Sequence, residues 1–293
     1  MYRRQAVLLG LIEAFGGELG RTDCQKLLFL LAQHESDTRC YDFFPYHYGP
    51  FSHIVMQDKR RLTALGYLSD EDGFVIKEAA GYVDRLKAPD HAAVVHLAAS
   101  VGSVRGRELV RRVYLAYPEY CCRSRVSRDV LTEEEWSEVS SKWHTELSAC
   151  LFTIGYEGKT IDAILHDITM HNIQCVVDVR RNAISMKHGF SKAALGRYLA
   201  ASGVQYLHHS ELGIPSSMRE DLSSPESYQM LFARYRSEIL SSASASLLEL
   251  RRQVSEQGRA ALLCFEANPN LCHRHVIAEA MADAMPGLPT LHL

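Results

Sequence analysis

No apolar run in this sequence approaches the roughly 18 to 20 residues that a membrane-spanning helix requires. The longest, such as LLFLLA at 27–32, has the length of a core helix, so no membrane association is expected. Positive charge is not in excess: the formal net charge is -3, and any nucleic-acid contact has to come from a local patch. Low-complexity tracts are missing, and with 47% hydrophobic and 23% charged residues the 293-residue chain has the balance of an ordinary globular protein of two compact units. The 8 cysteines (Cys24, Cys40, Cys121, Cys122, Cys150, Cys175, Cys264 and Cys272) have no framework spacing. Most stand in apolar runs as small hydrophobes, which fits a reducing, cytoplasmic setting. The opening MYRRQAVLLGLIEAF imitates a signal peptide, but Glu13 interrupts it and no small-residue cleavage site follows, so it reads as a first helix.

What is present begins with that helix over 3–15, stopped by Gly16 and Gly17. A buried second helix carries Leu27, Leu28, Leu30 and Leu31, with Thr22 or Asp23 as its cap. YDFFPYHYGPFS follows as an aromatic loop. Ser52 caps a third helix, whose polar side gathers Lys59, Arg60 and Arg61. YLSDEDGFVIKE then reads as a β-hairpin. Three helices and a hairpin make a winged helix over 1–80, an architecture that lays its third helix in a DNA groove or serves as a protein-interaction module.

Residues 81–148 read as a helical connector, broken at Ala88-Pro89 and at Pro118. It holds Arg105, Arg107, Arg111, Arg112, Arg123, Arg125 and Arg128 against Glu108 and Glu119. Such a face either meets phosphate or is a solvated surface balanced by the acidic run EEEWSE.

From 149 the pattern becomes strand, loop, helix: CLFTIGYEG, QCVVDVRR, VQYLHHSELG and ALLCFEANP alternate with helices, including one reading across 226–256 and a last one after CHRH. The fold class expected is α/β, a C-terminal parallel sheet flanked by helices and preceded by the mostly helical winged-helix-like domain. Ligands of such sheets bind at the carboxyl ends of the strands. There the sequence places Tyr156 and Glu157, then Asp178, Arg180 and Arg181, then His208, His209 and Glu211, and finally Glu266 and Asn268. Asp178 and Glu266 lie in apolar context, where an unpaired charge is expensive, so each needs a partner or a ligand. Asp178 is expected to pair with Arg180 or Arg274, and such pairs are often structural.

Cys272, His273 and Arg274 open the last helix, where dipole and cation lower a thiol's pKa. Cys272 is there either a reactive thiolate or a hydrophobe under the helix while Arg274 alone reaches the ligand. A tyrosine-phosphatase loop is excluded, since Ala278 stands where an arginine is needed. Cys264, Cys272, His273 and His275 lack a zinc spacing, and Cys264 should face the core, so no metal site is expected there. Glu157, Asp178 and Glu266 could instead hold magnesium beside phosphates. Ser185, Lys187, Gly189 and Phe190 precede a helix start at Ser191 and suit phosphate contact.

Residues 151–293 resemble domain-of-unknown-function family 488. The resemblance rests on FTIGYEG, on VVDVR followed by Ser185, Gly189 and Phe190, on GVQYLHHSELG, and on CFEANPNLCHRH before a final LHL. It implies shared polar residues at Tyr156, Glu157, Asp178, Arg180, Glu266, Cys272, His273 and Arg274. The first 80 residues resemble the Panacea-type antitoxin domain through DCQKLLFLL, YGPFS and LTALGYL, which implies a winged-helix-like module of toxin-antitoxin and phage-related loci.

Together these features predict a nucleic-acid-associated prokaryotic protein of DNA/RNA processing or anti-phage defence, whose α/β domain acts on a nucleotide or nucleic-acid group. Glu157, Asp178, Glu266 and Cys272 are its candidate catalytic residues, and Tyr156, Arg180, Ser185, His273 and Arg274 its ligand or phosphate contacts. Lys59, Arg60, Arg61, Arg105, Arg107, Arg111 and Arg112 are the nucleic-acid contacts. The alternatives are a non-enzymatic DNA-binding regulator sensing a nucleotide-like ligand and an antitoxin module that binds a protein partner through its first domain. The sequence names no cofactor and leaves self-association open.

Overall fold

The computed structural model describes residues 1–34, 40–143, 146–219, 222 and 224–293. The chain forms two compact units, Met1–Trp143 and His144–Leu293.

In the first unit α1 (Arg3–Ala14) is followed by a short strand β1 (Glu18–Leu19) and α2 (Arg21–His34). The aromatic segment read as a loop pairs with itself as β2 (Phe44–Tyr46) and β3 (Gly49–Phe51), in the register Phe44↔Phe51 and Tyr46↔Gly49. Its alternate rings give it a buried face: Phe44 is fully enclosed and packs on His53 and Phe51. Helix α3 (His53–Ala64) starts at Ser52, whose Oγ accepts from the Val55 N–H. Asp58 on α3 is buried and accepts from Arg4, Gln5 and Tyr41, tying α3 to α1.

The expected hairpin at 67–78 is reduced to one antiparallel bridge, Leu68↔Ile76. Its second arm, β4 (Phe74–Val75), pairs instead with β1, Leu19 facing Phe74. Leu68 and Phe74 are fully buried while the acidic turn between them is exposed, so too few apolar positions remain for a longer ladder. The unit continues with α4 (Ala88–Val101), α5 (Gly106–Ala116), α6 (Ser127–Val130) and α7 (Glu133–Ser141). Thr132 and Glu135 cap α7 reciprocally.

The second unit is mixed α/β. Its elements are β5 (Cys150–Gly155), α8 (Ile161–Met170), β6 (Cys175–Asp178), α9 (Lys192–Ala201), β7 (Gln205–His208), α10 (Pro225–Arg234), α11 (Ser244–Gln257), β8 (Arg259–Cys264), α12 (Arg274–Ala284) and β9 (Thr290–His292). The five strands run parallel in the order β7-β6-β8-β5-β9. Every residue of β5, β6 and β8 is buried, as a sheet covered on both faces requires. The terminal LHL supplies β9, an edge strand that the sequence reading did not contain. The helical stretch read across 226–256 is interrupted: α10 passes into a π turn at Tyr235–Leu240, and α11 starts after Ala243.

Candidate functional site

The carboxyl ends of β5, β6 and β8 stand side by side, because Asp178 pairs with Leu263 and Gly155 with Cys264 across the central ladders. Gly155 lets the loop after β8 cross directly over β5: a Cβ there would lie 2.0 Å from the Glu266 carbonyl oxygen. No larger residue fits beneath that loop.

Under this edge lies an interior ion pair. Arg180 clasps Asp178 with two parallel hydrogen bonds, Nε to Oδ1 at 2.9 Å and Nη2 to Oδ2 at 2.6 Å. Tyr206 donates to the second carboxylate oxygen at 2.7 Å. Arg180 Nη1 also donates to Tyr156 Oη and to the Phe190 carbonyl, both at 2.9 Å, and the Tyr156 and Phe190 rings stack at 4.3 Å. Burial opposes the charge on Arg180, yet Asp178 raises its pKa above the ordinary value; burial first and Asp178 second push the Tyr206 phenol up. Asp178 is fully buried with both oxygens engaged. This is the pairing with Arg180 expected of it, and Tyr156 and Arg180, expected as phosphate contacts, lie beneath the surface.

Arg274, expected as a ligand contact, is enclosed as well. It is fully buried at the start of α12, donating to the Glu266 and Ala267 carbonyls and, at 3.3 Å, to Thr153 Oγ1. Its work is to pin the loop after β8; it does not reach outward. Glu157 fastens the same loop from the exposed side, accepting from the Ala267 N–H at 2.9 Å.

Beside this loop the structure gathers Cys264, Cys272 and His273, whose ligand atoms all lie within 4.8 Å of one another. His273 Nδ1 is 4.0 Å from each sulfur, while its Nε2 donates to the Val179 carbonyl at 2.9 Å. Cys264 donates to Glu266 Oε2 at 3.3 Å. The absence of zinc spacing in the sequence concealed this cluster, because its members come from β8 and from the turn before α12. His275 stands apart, its ring nitrogen on the Pro269 and Cys272 carbonyls. Burial pushes the Cys272 thiol up, but Cys264, His273 and Arg274 together hold it well below the ordinary range. Hydrogen bonding to Cys272, then burial, raises Cys264; burial, then Cys272, raises Glu266. Tyr235, at the start of the π turn, covers the cluster with its ring 5.5 Å from that of His273.

The outward-facing groups are different ones. Glu266 is 20% exposed, and its other oxygen pairs with Arg219 at 3.2 Å. Phe265, which the sequence reading passed over, is 45% exposed and meets Tyr156 edge-on at 5.3 Å. Lys187 donates to the Tyr156 carbonyl at 2.8 Å, and its ammonium lies 5.5 Å from the Phe190 ring centre. Burial lowers its pKa. Ser185 Oγ accepts from the Lys187 N–H, shaping this loop, and Ile184 and Met186 beside it project into solvent. His208 and His209 turn to the Arg180 carbonyl and to Gln253.

Residues 160–281 match the family model described as "Domain of unknown function DUF488". The matched segment contains Asp178, Arg180, Glu266 and Cys272, and starts just after Tyr156 and Glu157. No curated protein and no solved structure matches the chain.

In the first unit, Lys59 is not on the polar face expected of it. It is buried, donating to the Glu71 and Asp72 carbonyls at 2.7 Å and lying over Phe74, because the acidic turn folds back onto α3. Arg60 and Arg61 are exposed. The arginines of the connector have partners within the unit: Arg111 with Glu135, Arg112 with Glu108, Arg107 with the Asp129 carbonyl, and Arg105 with the Gly102 and Val104 carbonyls. Among the described residues no helix is long and apolar enough to cross a membrane.

Proposed function

We propose that the second unit binds a nucleotide or a nucleic-acid group at the carboxyl edge of its sheet and acts on it there. The first unit, read as a winged helix, docks the chain on nucleic acid in DNA or RNA processing or in defence against phage. Phe265 carries this reading. A large ring nearly half exposed at a strand end, with Lys187 close to its ring partner Tyr156 and the Arg219–Glu266 pair next to it in sequence, has the composition of a site that stacks a base and pairs its phosphate. Glu266 is the group placed to position or activate water, and Glu157 holds the loop that presents it.

Titration calorimetry of the full chain with nucleoside mono- and triphosphates tests this. Phe265→Ala should weaken binding by ~1–3 kcal/mol, the worth of one base–aromatic stack. Equal affinity in the wild type and the variant would remove the ring from the account. Glu266→Gln separates an enzyme, which keeps ligand and loses turnover, from a sensor, which has no turnover to lose.

One observation favours the antitoxin-like alternative for the first unit: Arg111 and Arg112 of the connector are paired with Glu135 and Glu108, which leaves less of its charge for phosphate. Arg60 and Arg61 on α3 are exposed and stay the nucleic-acid contacts of that helix. Reversing both to Glu should cut nucleic-acid affinity and lower the salt slope by about 1 per lost phosphate contact. A tight complex that ignores salt would assign this unit to a protein partner.

A further inference from the structure

We propose that Cys264, Cys272 and His273 hold a zinc ion whose fourth, open position faces Glu266. The distances argue for it. Zinc–sulfur bonds of ~2.3 Å and zinc–nitrogen bonds of ~2.0–2.1 Å at tetrahedral angles put a sulfur about 3.5 Å from a nitrogen ligand and about 3.8 Å from a second sulfur. The two sulfur–nitrogen separations here are 4.0 Å, with all three ligand atoms inside 4.8 Å, so contractions of about half an ångström between nitrogen and each sulfur and of at most about 1 Å between the sulfurs close the site. Glu266 Oε2 sits 3.3 Å from Cys264 Sγ, where it can hold a water on the remaining coordination position.

Three further features point the same way. The Val179 carbonyl takes the Nε2 proton of His273, so a neutral ring turns the lone pair of Nδ1 toward the sulfurs; this is the outer contact by which metal-bound histidines are oriented. His273 is buried, and without an ion that nitrogen has, among the described residues, two weak sulfur contacts at 4.0 Å, poor compensation for a buried acceptor. Charge also balances. Two thiolates and a divalent ion sum to zero, and Glu266 is balanced by Arg219, so both sulfurs ionise with no net negative charge left in the interior. An ion with three protein ligands and one open position is the arrangement that activates water. The substrate of that water rests on the nucleotide reading above, whereas the ion does not.

The full chain, purified under a thiol reductant and stripped with chelator, is titrated with cobalt(II) and separately with zinc, and metal content is measured after gel filtration. One equivalent should bind, with cobalt giving thiolate charge-transfer bands and the strong visible bands of a tetrahedral site. Cys272→Ser should abolish those bands with the circular dichroism of the apo protein unchanged, and Glu266→Gln should keep the metal. The wild-type spectrum needs no variant to fold, so it decides by itself. No uptake, uptake without thiolate bands, or a Cys264–Cys272 disulfide in the reduced preparation would each overturn the proposal. Zinc uptake without nucleotide binding would sink the nucleotide reading alone; nucleotide binding by a chain that takes no metal would sink the ion alone.

Discussion

Removing Arg180 while leaving Asp178 is the sharpest perturbation of the second unit. The carboxylate is fully enclosed, and two of its hydrogen bonds and, among the described residues, its one ion pair come from the guanidinium. Arg180→Met fills much of the volume but strands a buried charge, with the Tyr206 hydroxyl and one backbone N–H as its remaining partners. Breaking one side of a buried pair costs ~3–5 kcal/mol. For a unit of this size that corresponds to a fall in midpoint on the order of 10 °C. Replacing both, as Asp178→Leu with Arg180→Met, removes the stranded charge and leaves two tyrosine hydroxyls, the backbone N–H of residue 180 and the Phe190 carbonyl short of a partner, at roughly 1 kcal/mol each before water compensates. The double variant should therefore be no worse than the single one, with a coupling energy of at least ~2 kcal/mol. Urea unfolding provides the assay. Both tryptophans, Trp136 and Trp143, lie in the first unit, so their fluorescence follows that unit alone while circular dichroism follows both. The loss should appear in the dichroism transition and spare the fluorescence transition. A single variant within about 1 kcal/mol of wild type, or losses that simply add, would refute the reasoning.

Lys26 supplies a pH test of the first unit. Burial takes its pKa down to about 7, and its ammonium meets the Pro50 carbonyl at 3.0 Å. Between that value and the ordinary 10.5 the unfolded chain binds a proton that the folded one does not, so stability rises with pH across this window, by up to ~1.4 kcal/mol per pH unit. Lys26→Met should flatten that slope in tryptophan-monitored unfolding; parallel slopes for the two proteins would exclude the assignment. Gly155→Ala should cost ~1–3 kcal/mol or more, because its Cβ would overlap the Glu266 carbonyl, and should expose Cys264 and Cys272 to a thiol reagent. Unchanged stability and thiol reactivity would mean that the loop does not depend on that close approach.

The parallel sheet was legible because its strands are short apolar runs that alternate with amphipathic helices, and the carboxyl-edge rule then located the polar groups. What the rule does not say is which of them face outward. Asp178 reads in sequence as a catalytic group that pairs with Arg180 or Arg274, and the pair with Arg180 forms; Arg274 and His273 read as ligand groups, yet in three dimensions they find interior carbonyls. Phe265 read as one more apolar strand residue, but β8 ends at Cys264, which frees the next ring to solvent. Cys264, Cys272 and His273 carry no zinc spacing in sequence because their approach is set by a loop crossing and not by a motif. In the first unit the aromatic segment hid a hairpin behind its prolines, and the acidic turn at 69–73 drew Lys59 inward.

The most direct measurement of the claim that the carboxyl edge is a ligand site is hydrogen–deuterium exchange of the full chain with and without a saturating nucleoside triphosphate. Slowed exchange is predicted in the segments 156–159, 183–190 and 265–272, and nowhere else in the second unit. Protection that falls on other segments, or none at a concentration where calorimetry shows binding, would contradict it.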